Sequence, residues 1–182
     1  MITLNSNFIV NFKTGDNICC NLATLTLLYK YYEAEDDGGK NLLCKPIVLI
    51  LAAVCEAVLH DFFFRARVFK KEGIQNVAEK LLKFIMTTRF DEFQAYIKFA
   101  KMNKLLGKSD DSIYNDLDNL RELRNRVHIQ NDSPGPRDEI EAFTPEEKVK
   151  AECVSERLLR IMERDYNRCG DQFVDDFVLP WD

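Results

Sequence analysis

Histidine is scarce in this chain, which has only two, His60 and His128. The second falls within Leu120–Asn131, LRELRNRVHIQN, where Arg121, Arg124, Asn125 and Arg126 precede it. These residue types suit phosphodiester chemistry. Cleaving RNA through its own 2′-hydroxyl needs a base, an acid and a cation to meet the charge on phosphorus. Histidine is the side chain whose ordinary pKa suits proton transfer near neutrality. An arginine fork matches two phosphate oxygens. On an ideal helix Arg121, Arg124 and His128 fall within about 60° of one another, so one phosphate would meet all three. Asn125, about 60° from His128, would fix the ring or bond the substrate.

The same helix carries an apolar stripe. With 100° per residue, Ile113, Leu117, Leu120 and Val127 span about 80°, and Arg124 lands near its middle. An unpaired guanidinium facing a core is very costly. Arg124 therefore calls for a carboxylate, a subunit interface or a ligand phosphate. One carboxylate stands out. Ile47–Phe64 is apolar on nearly every side, and Glu56 is the lone acid within its apolar part. Glu56 either reaches the rim, or caps a neighbouring group, or pairs with Arg124. The pairing, which would resolve two awkward burials at once, is the favoured reading.

The surrounding sequence predicts a run of helices. Met1–Thr14 alternates Phe8, Val10 and Phe12 before Gly15-Asp16 and reads as an extended arm or edge strand. Ile18, Leu22, Leu25, Tyr29 and Tyr32 form one helical face. Glu33–Gly39 reads as a loop, and Pro46 suits the first turn of the apolar helix. Arg65, Arg67, Lys70 and Lys71 close that helix as cations opposing its dipole, or less readily as a phosphate patch.

Ile74–Met86 and Phe90–Leu106 follow as two more helices. The second bears Lys98, Lys101, Lys104 and Lys108, ordinarily a solvated face and, if RNA binds, the track for its backbone. Gly107 ends that helix, and the motif helix runs from about Asp110 to Ile129. Asn131–Arg137, NDSPGPR, breaks the chain. Thr144-Pro145-Glu146-Glu147 is a capping box that opens a last long helix with Val154, Leu158, Ile161 and Met162 inward. A tail from 171 to 182 carries Phe173, Phe177 and Trp181 among aspartates and should fold back on its own domain, or else reach a basic groove on a second subunit or partner.

Bulk properties agree with one soluble all-α domain over residues 1–182. The 182 residues are 46% hydrophobic and 30% charged, and 7 Gly with 5 Pro leave little for the turns of an all-β fold. A net charge of −5 argues against a protein that coats nucleic acid, while leaving room for a local basic site. Six cysteines without a CxxC, and no His at zinc-finger spacing, argue against a structural zinc site. The first residues lack a basic, uninterruptedly apolar leader, and Pro46–Leu59 is short for a bilayer, so a cytoplasmic setting is expected. No GxGxxG, P-loop, HExxH or GxSxG pattern occurs.

Glu56 on an apolar second helix, followed by LRELRNRVHI late in a bundle, resembles the HEPN superfamily (higher eukaryotes and prokaryotes nucleotide-binding). The resemblance covers roughly Asn41–Asn131 and implies an up-and-down bundle of about five to six helices. It further implies a metal-independent endoribonuclease without cofactor, working as a homodimer in a toxin–antitoxin or phage-defence system, with an antitoxin as partner. The family signature is Arg, then four to six residues, then His, with Asn, Asp or His often after the Arg. Here Arg124-Asn125 has the dipeptide but three intervening residues, while Arg121 has six but is followed by Glu122. The expected site is thus His128, Arg124, Arg121 and Asn125, supported by Glu56, with RNA along Lys98, Lys101 and Lys104. Pairing of two copies would supply a second histidine. His60 reads instead as a rim histidine with a structural hydrogen bond. The alternative is a non-catalytic bundle binding a protein partner or nucleotide, with Arg124–Glu56 as a structural ion pair.

Overall fold

The computed structural model describes residues 2–68, 74–88, 92–128, 138–168, 170 and 172–181. Its most apolar segment becomes its axis. Helix α2 (Asp37–Val68) packs against α1 (Phe12–Ala34), α3 (Glu79–Thr87), α4 (Phe93–Met102), α5 (Ile113–Asn125) and α7 (Pro145–Tyr166). A single turn, α6 (Glu139–Ala142), precedes α7, and two short strands, β1 (Ile2–Leu4) and β2 (Phe177–Leu179), complete the described elements. The protein is mostly helical, as the apolar periodicity of the sequence implied. By length and composition α2 would cross a membrane, yet half of its most apolar window is buried among the other helices.

Several boundaries differ from the sequence reading. α1 starts at Phe12, so Gly15 lies inside it, and Asn11 caps it by accepting from the Thr14 N–H at 3.2 Å. Gly15 is needed there for closeness rather than for a turn. A side chain on it would collide with Val174 of the tail. The expected loop at Glu33–Gly39 shrinks to Glu35 and Asp36, because Asp36 accepts from the Gly39 N–H at 2.9 Å and starts α2. Pro46 therefore lies within α2 rather than in its first turn. The face Ile18, Leu22, Leu25, Tyr29 and Tyr32 is buried as expected. So are Phe93, Ile97 and Ala100 of α4, and Val154, Leu158, Ile161 and Met162 of α7. Thr144 caps α7 as expected, its Oγ1 accepting from the Glu147 N–H at 3.3 Å with Pro145 in the first turn, while the Glu147 carboxylate pairs with Lys150.

The ends of the chain meet. β1 and β2 pair antiparallel, with Ile2 opposite Leu179 and Leu4 opposite Phe177. Phe177 packs edge-on against Phe8, and Trp181 lies 6.1 Å from the Tyr29 ring. The tail thus folds back on its own domain, with Phe173 left partly exposed.

Two buried charged groups tie these layers together. Arg65 donates to the Tyr166 carbonyl at 2.6 Å, which gives this arginine a structural role. Lys70 and Lys71 lie outside the described residues. Asp61 accepts from the Val10 and Asn11 N–H groups at 2.9 and 3.0 Å, fixing the entry to α1. Burial pushes its carboxyl up to about 6 from an ordinary 3.8, although those two donors and Arg65 pull the other way. The native state then holds this proton more tightly than the unfolded chain does. Its contribution is complete below pH 3.8 and is lost as pH rises through about 6. Urea titrations between pH 4 and 7.5 should show about 3 kcal/mol of stability lost with rising pH through this group. Asp61→Asn should flatten that slope. An unchanged slope in the variant would assign the titration elsewhere.

Candidate functional site

The start of α5 is anchored from three sides. Asp111 accepts from the Ile113 N–H at 3.2 Å and from Arg157 of α7 at 2.5 Å. The Tyr114 hydroxyl donates to the Gly107 carbonyl at 2.8 Å and accepts from the Leu106 N–H at 3.1 Å. Ile113, Tyr114, Leu117 and Leu120 then bury one face, which fixes the rotation of the whole helix. That rotation carries Arg124 toward α2 at the last turn.

There Arg124 meets Glu56, its Nη2 lying 2.9 Å from Oε2. The pairing expected from two misplaced charges is present. Its setting differs from a sealed core, since the two side chains keep 40% and 24% of their surface. The stripe opens to solvent where α5 ends. Arg124 is thereby held by one carboxylate and remains reachable from outside. Asn125 Oδ1 lies at the limit of hydrogen bonding, 3.5 Å from Arg124 Nη1.

Arg121 is placed differently. Its Nε donates to Asp118 at 2.7 Å and its Nη2 reaches Glu122 at 3.3 Å, with only 13% of the side chain exposed. Two acids of its own helix already offset its charge. Of the two arginines that share the signature, Arg124 is the one left open.

The expected helix to Ile129 does not form over its last described residues. α5 stops at Asn125, and Arg126, Val127 and His128 continue as turns whose N–H groups reach back three residues, to Leu123, Arg124 and Asn125. Val127, meant to extend the apolar stripe, is half exposed, so burial of that face gives the helix less support here than at Leu117 and Leu120. His128 is exposed and does not share a helical face with Arg121 and Arg124. The 60° argument therefore fails for the histidine, although chain proximity keeps it three residues beyond Asn125. Ile129 and Asn131–Arg137 lie outside the described residues.

The lysine track is also divided. Lys98 and Lys101 are exposed on α4, and Lys101 donates to Asn115 at 3.3 Å. Lys104 lies past the helix end in the left-handed region, at φ 55°, and so leaves the shared face. Asn115 precedes Arg124 by nine residues of α5, roughly 14 Å of helix rise. The lysines thus flank the start of α5, away from the Arg124–Glu56 pair.

Two features escaped the sequence. Glu139 of α6 pairs with both Lys45 of α2 and Arg126, bracing the end of α5. Nothing in the linear pattern links three residues so far apart. The second is the aromatic setting of His60, on α2 one turn beyond Glu56. Its ring stacks 6.4 Å from Phe64 and meets the edge of Tyr96 at 6.1 Å. It lines a cleft of about 200 Å³ between α1 and α2. The sequence suggested a rim histidine with a structural hydrogen bond, whereas the neighbours its ring meets here are aromatic. A larger groove of about 440 Å³ runs between α5, α6 and α7, with Asp116, Glu122, Arg126, Glu147 and Lys150 on its walls. Among the described residues no cluster of His, Cys, Asp or Glu is arranged to hold a metal ion.

No protein-family model matches the chain, and neither the curated proteins nor the solved structures contain a match to it.

Proposed function

We propose that this protein is a HEPN-like, metal-independent endoribonuclease of the cytoplasm, acting in a toxin–antitoxin or phage-defence role. The observation that carries the reading is Arg124. Its guanidinium is held by Glu56 at the open end of α5, partly exposed, in the chain segment that delivers His128. An oriented arginine with solvent access is what a scissile phosphate requires. In this reading His128 transfers protons and Arg124 meets the phosphate oxygens. Asn125 positions the substrate, and Arg121 adds positive potential. Lys98, Lys101 and Lys104 receive the RNA backbone further along. The 2′-hydroxyl loses its proton and attacks phosphorus, and the 5′-oxygen leaves with a proton from an acid. A second copy of the chain would bring the second histidine, so a homodimer is part of the proposal, as is a cognate antitoxin protein.

The second reading is a non-catalytic bundle that binds a protein partner or nucleotide. It is favoured by the end of α5 at Asn125, which separates His128 from the arginine face.

Purified protein mixed with an RNA pool in excess EDTA separates the two. The ribonuclease reading expects products with cyclic-phosphate ends from the wild type and none from a folded His128→Ala variant. Cleavage by both proteins would point away from His128, and cleavage by neither would favour the binding module.

A further inference from the structure

We propose that the cleft between α1 and α2 receives a base of the RNA, beside the Arg124–Glu56 pair. This inference deepens the ribonuclease reading and rests on it. The cleft measures about 200 Å³ and is walled by Ile18, Ala53 and Ala57, with Asn17, Asn21 and His60 among its polar groups. That volume is below the usual range for drug-sized ligands and suits one planar ring system.

Its chemistry is that of a base rather than a phosphate. Among the described residues, no Asp, Glu, Lys or Arg lines it. Asn17 and Asn21 lie one turn apart on α1, and each amide carries both donor and acceptor groups. The Asn21 Nδ2 donates to the Asn17 carbonyl at 2.8 Å, which leaves its own oxygen as an acceptor. His60 adds an aromatic ring steadied by Phe64 and Tyr96, the kind of surface on which unstacked bases settle. Ala53 and Ala57, also one turn apart, keep the outer side of α2 low enough for a flat ring to approach its backbone.

The location joins this cleft to the arginine. Ala57 follows Glu56 directly, so the cleft and the ion pair occupy adjacent flanks of α2, about 100° apart around its axis. Ala53 is exposed and lies between the two flanks. A single nucleotide draped over Ala53 would place its base against α1 and its phosphate at Arg124. The cleft supplies base contact, and the arginine supplies charge.

Isotope-labelled full-length protein should be titrated with each nucleoside 3′-monophosphate, with a short single-stranded RNA, and with inorganic phosphate. The signals followed are the Asn17 and Asn21 side-chain amides, the His60 ring and the Arg124 guanidinium. At least one nucleotide and the RNA should move the cleft signals saturably, whereas inorganic phosphate should move Arg124 alone. Ala53→Trp, at an exposed position, should weaken nucleotide binding at least tenfold without changing phosphate binding. Shifts confined to Arg124, or equal nucleotide affinity in Ala53→Trp, would overturn the base site while leaving the ribonuclease reading intact. Silent cleft signals in a protein that cleaves RNA would do the same. Cleft binding by a protein that never cleaves RNA in EDTA would keep the base site and remove the cleavage reading.

Discussion

Arg124→Ala should lower kcat/KM for RNA cleavage in EDTA by at least a hundredfold, whereas Arg121→Ala should lower it tenfold or less. The asymmetry follows from their partners. Arg121 spends its fork on Asp118 and Glu122 and is nearly covered, so its removal changes a field rather than a contact. Arg124 has one recorded carboxylate partner, Glu56, and keeps 40% of its side-chain surface. Losing a group that stabilises charge in the transition state typically costs 10²–10³ in rate, about 3–4 kcal/mol. Arg124→Lys should recover part of the loss, because a point charge replaces only half of what a fork provides. The fold should survive, since the Glu56 left behind retains access to water. Single-turnover rates on one defined RNA, with circular dichroism as a control for folding, would measure the comparison. Equal losses at the two arginines would remove the distinction, and a larger loss at Arg121 would reverse the assignment.

Stability is expected to depend most on an ion pair within α7. Lys148 and Glu152, one turn apart on α7, are both nearly buried, with Lys148 Nζ 2.7 Å from Glu152 Oε1. The Tyr29 hydroxyl donates to the same carboxylate oxygen. Lys148 also lies over two tyrosine rings, 5.1 Å from Tyr29 and 4.6 Å from Tyr32. Burial and the neighbouring Glu152 hold the Tyr29 phenol well above its ordinary pKa, so it remains a donor. Removing one partner of a buried pair strands the other charge, at a cost of about 3–5 kcal/mol. Glu152→Leu should therefore destabilise the fold by that amount. The double variant Lys148→Met with Glu152→Leu should regain most of it, retaining only a cost of about 1–3 kcal/mol for the unpaired Tyr29 hydroxyl. Urea unfolding of the single, double and Tyr29→Phe variants would test this. A double variant as unstable as the single would mean that the pair itself, rather than the stranded lysine, carries the stability.

Periodicity made much of the fold legible. The stripes of α1, α4 and α7 are buried where their spacing put them, because packing selects apolar residues at helical intervals irrespective of which partner covers them. Local chemistry marked the start of α7 through Thr144 and Glu147. It misled at Gly15 and at Gly38-Gly39, where glycine serves a close approach or a helix start instead of a loop. Composition argued only against an all-β fold and the apolar periodicity indicated helices, while the two-strand clasp between the chain ends was beyond both. Ile2 and Leu179 become neighbours only through pairing across the whole chain.

The candidate site divides in the same way. The sequence by itself determined that Arg124 falls on a core-facing stripe and that Glu56 is the acid suited to meet it. An uncompensated charge in an apolar pattern demands a partner, and few were on offer. Only the tertiary structure decided that the pair lies at an open end, and that Asp118 and Glu122 occupy Arg121. It also decided that α5 stops at Asn125, before His128. Val127 keeps half of its surface in water, so the buried stripe weakens past Arg124, and the angular relation read from the sequence ends with the helix.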